Sequence, residues 1–461
     1  MKLWKAICRK LSNNPTQLFS EEGRTITYSE MKQEAATLSE RLNGFTCCAI
    51  LCDSELMAAI AVMGCFAAGV TAVPLSKRYG MEFYERIIDF ISPEAIIFDE
   101  KGTLKITKRK KSLYIPPKSH PALIMCTSGT TGTPKGVMLS EDSILSNVSD
   151  ITDYFSFGQK DTILIARPLY HSAVMTGEFL SAIWKGAKII FYSGPFNPAL
   201  MLKTIEKNMV TVFCGTPSML NLMTRLQKTA KEDFPLKHLS VSGECMGRNL
   251  CKQIRETFPT VEVYYVYGLT EASPRVSFLP SFLFDKYPGY VGIPLRTVQI
   301  KLLDGDGNCV GINKEGLIFV KGKNVMLGYY NNAKQTERVL QNGWLFTGDV
   351  GMINSEGLLT VKGRYDDLII KAGMNIYPQE IENRLKTDRR VKEVLAYGYK
   401  DSYGITLIGL KVCGSFHSVH EVKKMCYQLL PSFQIPSKIE IKEQLEKNIS
   451  GKIKRDSNGR V

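Results

Sequence analysis

A chain of 461 residues is long enough for about three domain-sized units with ample core. Its 44% hydrophobic and 23% charged content is that of a globular protein and excludes a disordered or low-complexity chain. The net charge of +14 (59 Lys and Arg against 45 Asp and Glu) suits an anionic partner, but no zinc-finger spacing or RNA-binding aromatic motif points to nucleic acid. The opening stretch "MKLWKAICRKLSNN" is basic and amphipathic, with too short an apolar run for a signal peptide. "SEMKQEAATLSERL" (29–42) and "FYERIIDFI" (83–91) read as helices, and "CAILC" (48–52) and "AIIF" (95–98) as strands. Residues 56–75, "LMAAIAVMGCFAAGVTAVPL", reach transmembrane length. Gly69 divides them into an Ala/Met-rich helix and a Val/Thr-rich strand, so no membrane span is expected. The run Lys108–Lys111, before Pro116-Pro117, reads as a solvated loop. Strands follow at 161–166, 187–192, 210–215 and 261–266, an α/β alternation that predicts largely parallel sheets. From about residue 290 the pattern becomes antiparallel with Asp-Gly turns, like a small β-barrel or meander, and 351–367 is a further hairpin. After Asp366 comes an α+β unit with helices at 378–386 and 419–430 and strands at 391–399 and 405–412. The cleanest boundary falls near 364–367. Twelve cysteines without a C-x-x-C pair, several in apolar runs (Cys65, Cys126, Cys214), predict reduced thiols in a cytoplasmic protein.

Chemistry gathers at a few stretches. "CTSGTTGTPKG" (126–136) follows the apolar run "ALIM" and crowds hydroxyls and glycines ahead of Lys135. Inward-turned backbone N–H groups, hydroxyl donors and a mobile cation suit a polyanion. It is not a Walker A loop, because Pro134 stands where the second glycine belongs and Gly136 follows the lysine. "YVYGLTEASPR" (265–275) places an aromatic, a glycine, a hydroxyl and a carboxylate after a strand, where ligands of open α/β sheets bind. Tyr267 suits a base and Glu271 a Mg²⁺ ion. "WLFTGDVG" presents Asp349 to a ribose; "GRYDDLIIKAGMNIYPQEIE" carries Arg364, Asp366 and Gly373; "NISGKIKR" leaves Lys452 in a polar tail. Taken singly, most of these stretches fit an ordinary turn, cap or tail better.

In order and spacing, these stretches together resemble the acyl-adenylate-forming superfamily: acyl- and aryl-CoA synthetases, stand-alone adenylation domains and firefly-type luciferases. The resemblance runs from "TITYSEM" (25–31) to "SGKIKR" (450–455). It implies a large N-terminal domain (1–363) of two α/β subdomains plus a small β-barrel, a hinge at 364–366, and a mobile α+β C-terminal domain (367–461). It implies ATP, Mg²⁺ and a thiol, either coenzyme A or a carrier-protein phosphopantetheine. Thr127, Ser128, Gly129, Thr130, Thr131, Gly132 and Lys135 match the phosphate loop. Ser242-Gly243-Glu244 matches the strand end bordering adenine and acid. Tyr267 and Gly268 match the adenine-stacking segment, Thr270 the α-phosphate ligand and Glu271 the magnesium ligand. Asp349 matches the ribose-binding acid, Arg364 a second ribose or phosphate contact, Asp366 the hinge, Gly373 the thiol tunnel and Lys452 the catalytic lysine. The chain departs from the pattern after the phosphate loop, where Ser140, Glu141 and Asp142 replace Thr-His and a nearby Asn. It also reads Ser242-Gly243-Glu244-Cys245 at the Gly-Gly-Ala stretch, and it is short for the family.

"RPLYHSAVMTGEF" (167–179) matches the substrate gate, with His171 as the aromatic gate and a satisfied core histidine as the alternative reading of that residue. Ser172 stands where amino-acid-activating relatives place an aspartate, and an unpaired buried ammonium is costly, which disfavours an α-amino acid. An aryl or aliphatic acid is expected, lined by His171, Ser172, Gly215 and Gly243, with coenzyme A preferred over a carrier protein. A luciferase-like oxygenase would share every motif. A non-catalytic homologue would be expected to lose Lys452 or Glu271, and both are present.

Overall fold

The computed structural model describes residues 1–77, 80–128, 134–227, 233–371, 374–447 and 453–455. The apolar stretch after residue 55 divides at Gly69, as its composition predicts. Helix Glu55–Ala68 starts at Ser54, whose hydroxyl accepts from the Met57 N–H, and ends at Gly69 with φ +71°. That left-handed cap favours glycine. The helix is apolar on all sides because it is buried on nearly all sides, and strand Thr71–Pro74 follows it directly into a sheet. Among the described residues no helix is long and apolar enough to cross a membrane. Helix Tyr28–Arg41 opens on a capping box between Thr27 and Glu30. The basic N-terminal stretch forms helix Lys2–Asn13, which buries Leu3, Ile7 and Leu11 along one face and pairs Lys2 with Asp142.

Two large sheets carry the α/β part. In the nine-stranded sheet, six neighbouring strands are parallel: Glu262–Gly268, His238–Val241, Val212–Gly215, Thr162–Ile165, Lys188–Phe191 and Leu18–Glu21. Antiparallel strands finish its edges, Arg24–Thr27 on one side and Arg275–Leu279 with Ile293–Pro294 on the other. The seven-stranded sheet has a parallel centre and a hairpin, Leu123–Ser128 with Pro134–Leu139, against which the short strand Gly328–Tyr329 pairs. The expected small barrel is a five-stranded antiparallel half-barrel sheet, built from Val298–Leu303, Glu315–Gly322, Leu340–Gln341, Trp344–Ile353 and Leu359–Arg364. Beyond it, strands Val391–Lys400, Thr406–Gly414 and Lys438–Ile441 pack with helices Pro378–Leu385 and Val419–Leu429 around a core of their own that includes Ile381, Leu410 and Met425.

One expectation needs correction. Arg109, in the basic run, is not a solvated residue: its guanidinium bonds the Ile88 carbonyl at 3.2 Å and Asp89 at 3.2 Å, closing the end of helix Met81–Ile91. A cation beside the last carbonyls of a helix is favoured there. No disulfide joins the twelve cysteines; Cys65 and Cys214 are buried and Cys126 is half-buried.

Candidate active site

The described part of the phosphate loop is its two flanks. Thr127 and Ser128 end one hairpin strand and Lys135 begins the other, with Thr127 opposite Lys135 in the ladder. Gly129, Thr130, Thr131 and Gly132 lie outside the described residues. The Lys135 ammonium sits 5.5 Å from the centre of the Tyr329 ring. Tyr329 in turn donates its hydroxyl to Glu271 Oε1 at 2.8 Å. Two sheets of the fold thus meet at one point: strand Gly328–Tyr329 belongs with the phosphate hairpin, and Glu271 follows the last parallel strand of the other sheet. Sequence reasoning missed Tyr329. Its partner strand lies almost two hundred residues earlier in the chain, and no local pattern announces that pairing.

Strand Glu262–Gly268 carries Tyr267 and Gly268 into a turn at Thr270–Ala272. A Cβ on Gly268 would lie 2.1 Å from the Pro274 carbonyl oxygen, so only glycine lets the two chain segments approach there. Tyr267 donates to Asp349 Oδ2 at 2.5 Å, and Arg364 donates to Asp349 Oδ1 at 3.2 Å and to the Thr347 carbonyl at 2.8 Å. Burial pushes the Asp349 carboxyl up, against the opposing pull of Arg364 and of the Tyr267 hydroxyl. Burial also raises the Tyr267 phenol, and Asp349 adds to it. For Arg364, burial works against the cation, but Asp349, Tyr267 and Glu271 outweigh it. Asp349, Arg364, Tyr267 and Glu271 therefore act as one charge-coupled group.

At the neighbouring strand end, Ser242 is buried and its Oγ has no hydrogen-bond partner among the described residues. Gly243 is exposed with φ +96°, and Glu244 accepts from Ser218 at 2.6 Å. Gly215 is buried, and a side chain there would press on Phe213 and Leu220. The gate segment runs His171, a short helix Ser172–Val174, then a π-helix Met175–Leu180. His171 packs on Tyr170 with ring centres 4.2 Å apart, and Ser172 Oγ lies 3.0 Å from Thr270 Oγ1. The gate serine and the turn threonine are thus in hydrogen-bonding contact.

Behind them lies a charged group that sequence reasoning also missed. Arg167 bonds Glu178 at 2.5 Å, and Arg275 is buried close by. Burial raises the Glu178 carboxyl, opposed by both arginines. The available signal was a carboxylate inside the apolar run "AVMTGEFLSAIW". Such a residue is seldom buried without a cation.

Asp366 sits in the single turn Tyr365–Asp367, between the half-barrel sheet and the second core. Gly373 and Lys452 lie outside the described residues. Three residues past Lys452, Arg455 bonds Glu382 through both carboxylate oxygens at 2.8 Å and pairs with Asp367 at 3.4 Å. The donor chemistry fits a hard cation held jointly with phosphates. Glu271 offers an oxygen beside a lysine and a loop suited to polyanions, and the described residues hold no cluster of three His, Cys, Asp or Glu that would cage a metal alone. The orphaned Ser242 hydroxyl fits a polar ligand at the same strand ends.

Residues 7–330 match the model of the AMP-binding enzyme family. The long-chain-fatty-acid–CoA ligase of Escherichia coli O6:H1 is 30% identical over 397 residues, covering 84% of this chain and 69% of that protein. The 2-succinylbenzoate–CoA ligase of Bacillus subtilis is 30% identical over 467 residues, covering 94% of this chain and 93% of its own. Among solved structures, the o-succinylbenzoate CoA synthetase of Bacillus subtilis bound to its acyl-adenylate superposes with a TM-score of 0.86 at 25% identity, over 99% of this chain and 98% of that one. The chain belongs to the AMP-binding enzyme family and is an AMP-forming acid–thiol ligase of the acyl-CoA synthetase type.

Proposed function

We propose that this enzyme joins an aryl or aliphatic carboxylic acid lacking an α-amine to coenzyme A in two steps at one site. The acid's carboxylate oxygen attacks the α-phosphorus of ATP and pyrophosphate leaves; the thiol then attacks the carbonyl of the acyl-AMP and AMP leaves. The carrying observation is the coupled group Tyr267–Asp349–Arg364 beside Thr270 and Glu271, placed where the phosphate hairpin meets the strand ends. Asp349 accepts the ribose hydroxyls and Arg364 holds that carboxylate in place. Tyr267 and Gly268 border the base. The phosphate loop and Lys135 hold the outer phosphates, and Thr270 the inner one. Mg²⁺ on Glu271, when bound, neutralises phosphate charge as the leaving group departs. Two anions must meet in the first step, so cationic groups at the bridging oxygen lower the barrier, and Lys452 takes that role. The unit 367–461 then turns about Asp366 so that the thiol enters past Gly373.

Ser172 meets a hydroxyl, not a carboxylate, which supports an acid without an ammonium group. Coenzyme A as acceptor is supported by the CoA-ligase relatives at 30% identity, and they do not favour a carrier protein. The test is pyrophosphate release over a panel of acids, with and without coenzyme A, followed by mass analysis of the products. Acid-dependent release and an acyl-CoA product are expected. Release driven by α-amino acids, or acyl transfer to a carrier protein alone, would overturn the reading.

A further inference from the structure

We propose that Arg275, backed by the Arg167–Glu178 pair, forms a charged floor to the acid pocket that selects short acids with an anionic far end and turns away long alkyl chains. The inference rests on the acid-ligase reading above and specifies its substrate. Arg275 begins the strand that runs antiparallel to Glu262–Gly268 and pairs with Gly268. Its backbone is pinned on both sides: its N–H donates to Asn147, and its carbonyl accepts from Asn147 and Asn324 at 2.9 Å each. The side chain crosses to the gate segment, where a Cβ on Gly177 would come within 2.9 Å of Arg275 Nη2. Glycine at 177 therefore makes room for the guanidinium. Gly177 lies five residues past Ser172, whose hydroxyl meets Thr270 at the mouth. The guanidinium thus lies against the same gate segment whose Ser172 touches Thr270.

Its surroundings are not those of a settled core arginine. Arg275 is 2% exposed and Glu178 0%, yet no carboxylate lies within 4 Å of the Arg275 guanidinium among the described residues. The Tyr154 hydroxyl meets it, while the Nε atoms of Arg275 and Arg167 and Oε2 of Glu178 have no hydrogen-bond partner there. Of the two guanidiniums only that of Arg167 is paired with Glu178, which leaves one positive charge in excess in a buried place. A buried cation of this kind is costly until an acceptor reaches it. An acid with a second carboxylate would supply that acceptor, and a methyl-ended chain would press apolar surface onto it. The π-helix Met175–Leu180 that sets Gly177 and Glu178 here is a rare backbone form, frequent at functional sites.

The test compares ATP–pyrophosphate exchange driven by C4–C8 straight-chain dicarboxylates, by monocarboxylates of equal length and by dodecanoate. In parallel, thermal shifts are read with non-hydrolysable acyl-sulfamoyl adenosines carrying the same acyl groups, which needs no turnover. A short diacid is expected to exceed its monoacid by about 100-fold in kcat/KM, since a site built for a polar group strongly rejects the analogue lacking it. Dodecanoate should stay at background. Arg275→Leu should reverse the order and Arg275→Lys retain part of it; should the leucine variant not fold, the wild-type panel and the lysine variant decide. Equal use of monoacid and diacid, preference for dodecanoate, or an unchanged profile in Arg275→Leu would overturn the floor. If no acid drives exchange but the adenosine analogues still discriminate, the ligase reading fails and the floor stands.

Discussion

Asp349 is a residue kept at some expense to the fold. Burial raises its carboxyl above the usual range, so the folded chain holds its proton more tightly than the unfolded chain does. For such a group the sign is the reverse of the common paired carboxylate: its contribution is most favourable below the unfolded pKa and declines as pH rises through the folded one. Asp349→Asn removes that charge while keeping one acceptor, and Arg364, 44% exposed at its side chain, can turn to solvent. We expect the variant to melt no lower than wild type at pH 7, with any gain shrinking toward pH 4, while nucleotide affinity falls. Thermal melts across that range check the first part and nucleotide titration the second. A variant that melts several degrees lower at pH 7 would show Asp349 to be a structural acid. Tyr267→Phe should leave melting similar and weaken nucleotide binding about tenfold, the worth of roughly 1.4 kcal/mol for one hydrogen bond to a charged group.

At the scale of elements, Arg455 ties the end of the chain to helix Pro378–Leu385. Glu382 on that helix is buried, accepts the Ala396 N–H at 3.0 Å, and takes both nitrogen–oxygen contacts from one Arg455 nitrogen. Lys452 precedes this anchor by three residues, so the anchor limits where a lysine there can reach. Arg455→Ala leaves Glu382 buried and unpaired, at about 3 kcal/mol of cost to the unit it braces. We expect acid-dependent pyrophosphate exchange to fall at least tenfold, thioester formation from supplied acyl-AMP to stay within twofold, and Arg455→Lys to recover part of the loss. Equal damage to both half-reactions would make the pair a purely structural brace. Why the sequence announced Lys452 but not Arg455 is a matter of physics. Adjacent motifs show themselves by spacing and chemistry, as Gly69 showed the break between helix and strand. Tyr329, Arg275 and Arg455 act through partners about 60, 100 and 70 residues away, and such pairings exist only once the sheets have formed. The parallel strands were legible from their apolar runs. The half-barrel sheet was legible as antiparallel strands of a small barrel or meander but not in its open form, since whether a sheet closes depends on shear and tilt that local composition does not carry.

On the reaction proposed above, the whole molecule would present a lysine first and a thiol path second, and the docked arrangement seen here can be tested for which step it serves. Among the described residues, the second core rests on the larger body through a few polar contacts. Tyr377 donates to Glu315 at 2.6 Å, Arg225 donates to the Val391 carbonyl at 3.2 Å and to the Lys386 carbonyl at 3.3 Å, and Lys362 pairs loosely with Glu380 at 3.7 Å. Contacts of that kind are compatible with turning about the short segment Tyr365–Asp367. Arg455 lies within electrostatic reach of Cys245, which follows Gly243 and Glu244 at the strand end. Arg455 thus stands at the strand end that carries Gly243, and on the proposed mechanism an arrangement of this kind would serve adenylation. A Cβ on Gly247 would lie 3.2 Å from Asn383 Cβ across the same junction, within a few tenths of an ångström of what a disulfide needs. Gly247 has φ −75°, a conformation that cysteine adopts freely. In Gly247→Cys/Asn383→Cys, oxidation should join the two bodies. Acid-dependent pyrophosphate exchange should then persist within about threefold, while acyl-CoA formation falls at least about 100-fold and returns on reduction. The single variants control for native cysteines such as Cys245. Full acyl-CoA turnover in the fully cross-linked enzyme would mean that the second core need not move, and loss of exchange with turnover intact would mean that the docked arrangement serves the thiol step instead.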